Sequence, residues 1–338
     1  MSTPADTVMN LILGRWRSQT LYAGVKLRIF EVLADGLRSA EEVAETLDLD
    51  PDNTYRLLRA LGSLDLLEEH REDRFEITER GALLTADHPH SLRGFALLEE
   101  GPEHYAVWTH LPEMVRTGKE GAFEKEHGCE PFAYAQSNPE YAEAFDESMT
   151  SLSRMETQAV LEALDEENLA DVRHLCDVGG GHGYLLSHLL REHPPLTGEV
   201  LELPNVVEEA GEVPDAVGVA DRVTFTGGDM FEAVPEADGY LMKHILHDWS
   251  DAECVEILER IEEAAPPGAP VFVAEYVVPG PETSHFAKLM DVQMMLFPGG
   301  RERTVEEYDE LFRRAGMELA DHHTAEGRPM SVVEGRAP

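Results

Sequence analysis

Cysteine is scarce in this chain of 338 residues: there are three, Cys129, Cys176 and Cys254, and they are scattered. None forms a C-x-x-C pair, so neither a disulfide framework nor a zinc site is expected. Lysine is almost as rare, with Lys26, Lys119, Lys125, Lys243 and Lys288 the whole set. Basic residues number 27 against 67 acidic ones, a formal charge of −40. Such a polyanion repels nucleic acid and anionic membrane. Dispersed acid with little lysine suits a salt-rich cytoplasm, where screening offsets self-repulsion. There is no apolar run of 18 residues and no basic-then-apolar leader, so a soluble, cytoplasmic protein is expected, with no membrane partner. A G-x-S-x-G elbow is missing, which argues against an α/β hydrolase. No H-x-x-x-H pair or other ligand cluster points to a metal, so none is expected.

What the chain does have is Asp177-Val178-Gly179-Gly180-Gly181-His182-Gly183. A strand-like run precedes it and a helical apolar pattern follows, the opening of a nucleotide-binding α/β unit. Glycines turn tightly and leave no Cβ between the main chain and a ligand. A dinucleotide fingerprint reads G-x-G-x-x-G. Here Gly179, Gly181 and Gly183 read G-x-G-x-G, which suits a smaller nucleoside such as S-adenosylmethionine (SAM).

The first hundred residues read as helices. Apolar positions recur over 19–33 as in one helix, the first of three. Ser39 with Glu42 is a capping box for a helix through Leu47, and Asp50-Pro51 opens another. The runs 66–69 and 74–77 flank a polar turn as in a hairpin. Helices plus a hairpin predict a winged helix, but acids outnumber bases there. Dimerisation is therefore the expected use, with no nucleic acid partner. A helical bridge over 105–164 carries Phe132, Tyr134, Tyr141, Phe145, Met149 and Met155, which serve either as core or as an apolar lining for a flat substrate. From 171 onward strands alternate with helices, which predicts a parallel sheet. The strands are expected at 200–203, 223–226, 240–244 and 271–277, with short ones near 317–322 and 330–334. The helices are expected at 251–264 and, behind a Thr304/Glu307 capping box, through Arg314. The predicted domains are 1–104, a winged-helix dimerisation domain; 105–170, the bridge; and 171–338, a Rossmann-like SAM-binding catalytic domain.

In an open α/β sheet the ligand lies at the carboxyl ends of the strands. Glu202 ends the second strand, where an acid can accept ribose hydroxyls. After the third comes Gly227-Gly228-Asp229-Met230-Phe231: Asp229 suits a polar proton of the nucleoside, and Met230 and Phe231 suit the adenine. The fourth ends in Lys243-His244-Ile245-Leu246-His247-Asp248-Trp249. His247 has the pKa range of a general base. Glu275 ends the fifth strand and Glu302 precedes a helix. Either acid can fix an imidazole tautomer and stabilise the imidazolium.

With these motifs the chain resembles the SAM-dependent small-molecule O-methyltransferases, the family of caffeic acid and acetylserotonin O-methyltransferases and of bacterial antibiotic- and carotenoid-tailoring enzymes. The resemblance spans nearly the whole chain. It rests on the glycine turn, Leu201-Glu202-Leu203-Pro204, the segment around Asp229, His247-Asp248-Trp249-Ser250-Asp251, and Gly299-Gly300-Arg301-Glu302-Arg303-Thr304. It implies methyl transfer from SAM, leaving S-adenosylhomocysteine, to a phenolic or similar hydroxyl of a small aromatic acceptor. By position it implies Gly179 beside the methionine part of SAM, Glu202 on the ribose, Asp229 and Met230 flanking the adenine, Lys243 near it, and Ser153 reaching the cofactor carboxylate. His247 is the implied base, bracketed by Glu275 and Glu302, and the implied assembly is a homodimer. Glu202 stands where many relatives have Asp. His244 and Phe297 replace side chains that contact the acceptor in plant enzymes, so plant substrate identity does not transfer. Two rivals are a SAM-binding relative with decarboxylase or hydroxylase activity, and a winged-helix regulator with SAM as effector.

Overall fold

Ser39, Ser250 and Thr304 each accept the backbone N–H three residues on, while Glu42, Glu253 and Glu307 reach back to the cap residue. These reciprocal caps satisfy donors that a helix start leaves free. They open the helices Ala40–Leu47, Asp251–Ala264 and Val305–Arg314, with the predicted bounds. The computed structural model describes residues 3–338 apart from 72, 120, 209 and 298, and the side chain of Phe132 lies outside the described part. The chain forms two units, Met1–His110 with Phe123–Arg154, and Leu111–Ala122 with Met155–Pro338.

In the first unit the helices Gly14–Lys26 and Ile29–Ala34 replace the single helix expected over 19–33. The break falls at Arg28, whose φ is +59°. A left-handed residue turns the chain there, and Ile29, Phe30 and Leu33 enter a core with Val43, Leu58, Leu61 and Phe75. The hairpin is present as β2 (Leu67–His70) and β3 (Arg74–Ile77), and β1 (Arg38–Ser39) pairs with β3 on its other edge. The bridge aromatics pack on one another: Tyr134 and Tyr141 meet edge to face at 5.1 Å, and Phe123 meets Tyr134 at 5.7 Å. Tyr141 is buried, whereas Met149 and Met155 are exposed.

The second unit carries seven strands in the order β6-β5-β4-β7-β8-β10-β9. They are β4 (His174–Val178), β5 (Thr197–Glu202), β6 (Val223–Gly227), β7 (Gly239–Lys243), β8 (Pro270–Glu275), β9 (Glu318–Thr324) and β10 (Ser331–Arg336). The pairs among β4 to β8 are parallel, and β10 joins β8 and β9 antiparallel. Successive side chains point to opposite faces. Cys176, Val178, Tyr240, Met242, Val271 and Val273 share a core with Leu258, Ile261, Tyr308 and Phe312 of the helices Asp251–Ala264 and Val305–Arg314. Leu175, Leu241, Phe272 and Ala274 face the other way, onto Val160, Leu185, Leu186 and Leu189. The sheet is thus covered on both faces, as parallel strands require. The chain runs outward from β4 to β6, then crosses to β7 on β4's other side. That reversal makes a crevice above the carboxyl ends of β4 and β7.

Candidate active site

The turn after β4 is built from glycines, three of them at positive φ. Gly179 has φ +71°, and a Cβ there would run into the Ile245 side chain. Its N–H donates to the Leu201 carbonyl at 2.8 Å, tying the turn to β5. At Gly181 a Cβ would meet nothing within 4 Å, so the crown of the turn stands open. Gly183, also left-handed, leads into the helix Tyr184–Glu192. Below the turn, Asp177 is buried and its Oδ2 has no hydrogen-bond partner in the protein. Burial pushes its carboxyl up to about 7, against the pull of Lys243 and with the help of Glu202. An open glycine crown over an orphaned buried acid fits a nucleoside carrying a cationic amine.

Of the other expected cofactor residues, Glu202, Asp229, Met230 and Lys243 belong to the same unit as this turn. The Glu202 carboxylate sits at the end of β5. Its Oε2 accepts the Gly181 N–H at 3.1 Å and its Oε1 accepts the Leu203 N–H at 2.8 Å. Asp229 accepts the Phe231 N–H at 2.9 Å, which folds the loop after β6. Met230 and Phe231 pack on the edge of the core, and the Phe231 ring meets Trp249 edge to face at 4.8 Å. Lys243 is ion-paired, its Nζ 3.0 Å from Glu156 Oε2. Ser153 is half-buried on the helix Pro139–Ala163 and belongs to the first unit.

The expected catalytic three come together. His247 is buried in a 3₁₀ turn after β7. Its Nδ1 donates to Glu302 Oε1 at 2.9 Å and lies 3.5 Å from Glu275 Oε2. With the proton on Nδ1, the Nε2 lone pair is left to accept another; Asp248 is 3.6 Å from that nitrogen. Burial lowers the imidazole's basicity, but Glu275 and Glu302 outweigh it and His247 ends above its ordinary value. Burial pushes Glu302 up, against the pull of His247. Glu275 stays below its usual range because His247 and His244 outweigh its burial. It also accepts the Ile245 N–H at 3.1 Å.

Sequence reasoning missed the side chains that hold this cluster. Arg303 is fully buried. It donates to the carbonyls of Leu246 at 2.7 Å and Trp249 at 2.8 Å, and to Asp251 Oδ1 at 2.8 and 3.1 Å. It therefore clamps the turn on both sides of His247. The Arg301 N–H donates to the His247 carbonyl at 2.8 Å, and a Cβ on Gly300 would collide with that same carbonyl. Asp291 accepts the Glu302 N–H at 3.0 Å. Glu156 was invisible too. It is buried and takes Lys243, His244 at 2.9 Å and the Tyr276 hydroxyl at 2.7 Å. The R-E-R spacing was a signal for Arg303; nothing local marks Glu156.

Among the described residues, His244, His247 and Glu275 form the one group of donor atoms close enough to share a cation. Their chemistry does not suit one. Both His244 nitrogens face carboxylates, Nε2 to Glu156 at 2.9 Å and Nδ1 to Glu275 at 3.4 Å. His244 Nε2 is spent on Glu156 and His247 Nδ1 on Glu302, so neither of those nitrogens has a lone pair for a metal.

Residues 108–318 match the O-methyltransferase domain family, and residues 9–87 match the O-methyltransferase dimerisation domain family. The chain belongs to the O-methyltransferases. A phenazine O-methyltransferase of Lysobacter antibioticus is 34% identical to this methyltransferase over 98% of the chain and 96% of its own length. An 8-amino-8-demethylriboflavin N,N-dimethyltransferase of Streptomyces davaonensis is 33% identical, with 94% of this chain and 90% of that protein covered. The crystal structure of LaPhzM matches the methyltransferase with a TM-score of 0.89 at 33% identity, over 100% of both chains. Among the described residues no helix is long and apolar enough to cross a membrane.

Proposed function

We propose that this methyltransferase uses SAM to methylate a phenolic hydroxyl of a small, flat aromatic secondary metabolite, with His247 as general base. The observation that carries the reading is the His247 geometry: Nδ1 given to Glu302, Nε2 with Asp248 Oδ1 at 3.6 Å, at the end of β7 next to Ile245, which packs against Gly179. Gly179, Glu202, Asp229, Met230 and Lys243 surround the place of the cofactor. When bound, SAM supplies a methyl group activated by its sulfonium charge. His247 takes the phenol proton on Nε2 as the oxygen becomes nucleophilic. Glu275 and Glu302 stabilise the imidazolium that results. General-base help of this kind is worth ~10²–10⁴-fold. The relatives named above act on phenazine and aminoriboflavin, both fused flat rings, which is why the acceptor class is drawn so.

Val8, Met9, Leu11 and Ile12 on the helix Pro4–Ile12 and Trp16 on the helix Gly14–Lys26 leave exposed apolar side chains, and with the dimerisation domain this supports a homodimer. The strong acid excess supports a salt-rich cytoplasm as its setting.

The test is incubation with methyl-labelled SAM and a panel of hydroxylated and amino-substituted fused-ring aromatics. Label on a ring oxygen is the expected result. Label on nitrogen alone would assign the enzyme to amine acceptors. In H247A, turnover should fall ~10²–10⁴-fold while S-adenosylhomocysteine still binds by calorimetry. Full turnover in that variant removes the base assignment.

A further inference from the structure

The mechanism leaves one half-buried charge without a task. His244 lies between Glu156 and Glu275, each carboxylate facing one ring nitrogen. Its ring stacks on that of His247, with centroids 4.6 Å apart and planes 26° from parallel. The residue also sits at φ +56°, a backbone conformation that a histidine holds only at a cost. That strain is what turns the chain from β7 into the His247 turn and brings the two rings face to face.

We propose that His244 is a positioning residue that acts through His247: a permanent imidazolium whose charge keeps the neighbouring ring from holding its proton, and so sets the pH at which the base works. The inference rests on His247 being the base. Two effects run in the same direction. The His244 cation repels a second proton on the stacked ring. It also neutralises part of Glu275, the acid that both rings share, and so weakens Glu275's pull on the His247 proton. The groups facing the pair are Lys243 on β7, Glu156 on the long helix, Glu275 and Tyr276 at the end of β8, Asp248 within the turn, and Glu302 before the last helix. Glu156 is what keeps His244 charged. Burial disfavours the imidazolium, Glu156 and then Glu275 favour it, and the outcome lies at about 10.

Removing the charge should therefore make His247 hold its proton more tightly. At 4.6 Å, with the screening of a protein interior open to a cleft, loss of one unit charge moves a partner's titration by about one pH unit or more. The experiment is kcat/KM against pH, from 6 to 10, for wild type, H244N, H244Q and H244R, with S-adenosylhomocysteine binding as a check of folding. Asn tolerates the left-handed backbone. In H244N and H244Q the acidic limb should move up by about one unit, a roughly tenfold loss of rate on the limb with recovery at high pH. In H244R, which restores a cation between the two acids, the limb should move back towards wild type. A plateau that falls while the limb stays in place overturns the proposal and leaves His244 a packing residue. Should the neutral variants fail to fold, imidazole NMR titration of the wild type decides. His244 protonated throughout while His247 titrates supports the idea, and His244 titrating near the free value overturns it. H247A run in parallel separates the two readings, because activity there removes the base itself.

Discussion

Replacing Arg303 tests whether the His247 turn is held by one buried guanidinium. In R303M the carbonyls of Leu246 and Trp249 lose their strong donors. A buried carbonyl left without a partner costs ~1–3 kcal/mol. Cys254 Sγ lies 3.2 and 3.5 Å from the two oxygens, and its one proton softens the loss at one of them. Asp251 is half-exposed, so water replaces most of what it loses. The sum is roughly 3–5 kcal/mol. At ~2–4 °C per kcal/mol for a unit of this size, the transition should fall by roughly 10 °C. R303K can reach one carbonyl and not both, so about half that loss is expected. The two carbonyls flank His247, so the same change should move its ring. A displacement of ~1 Å costs about 10²-fold in rate. The assay is a melting curve by circular dichroism together with kcat at 20 °C below the transition. If R303M melts within ~2 °C of wild type, the clamp is not where the stability lies. If the melt falls but kcat at low temperature is unchanged, the turn holds its shape without the arginine and the positioning argument fails.

Other expectations are as definite. G179A puts a methyl group into Ile245 at a left-handed position and should weaken S-adenosylhomocysteine binding at least tenfold by calorimetry, whereas unchanged affinity would show that the turn does not hold the nucleoside. His244 is raised from 6.5 to about 10 on folding, so the stability it contributes is complete below pH 6.5 and disappears as pH rises through about 10. H244N should accordingly lose on the order of 3 kcal/mol against wild type at pH 6 and little at pH 10 in urea titrations; an equal loss at both would mean the ion pair is not the cause. A chain of formal charge −40 should melt several degrees higher in 2 M KCl than in 0.1 M, since the Debye length falls from about 10 Å to under ~3 Å. A flat response to salt would count against the salt-rich setting.

The caps at Ser39, Asp50 and Thr304 and most strands were readable from residues close together in the chain, whereas those at Thr3, Thr78 and Ser250 were not read. Ser39 with Glu42, and Thr304 with Glu307, are complete local instructions, because a cap satisfies donors within one turn. The glycine turn, Glu202, His247 and Glu275 were singled out for a related reason. Strand ends in a parallel sheet converge on one edge, so a chemical residue at each end reports a common site. The single helix expected over 19–33 failed at Arg28, where burying Ile29 and Phe30 outweighs local helix preference.

Composition and local spacing thus determined the sheet, the caps and the residues offered to the crevice, since each depends on neighbours a few positions apart. Only the folded chain decided what those residues are to one another. Glu156 reaches His244 across 88 positions, Glu302 meets His247 across 55, and Arg303 grips the Leu246 carbonyl across 57. Proton position and charge depend on distances of about 3 Å inside a low-dielectric core, and no spacing along a chain encodes those.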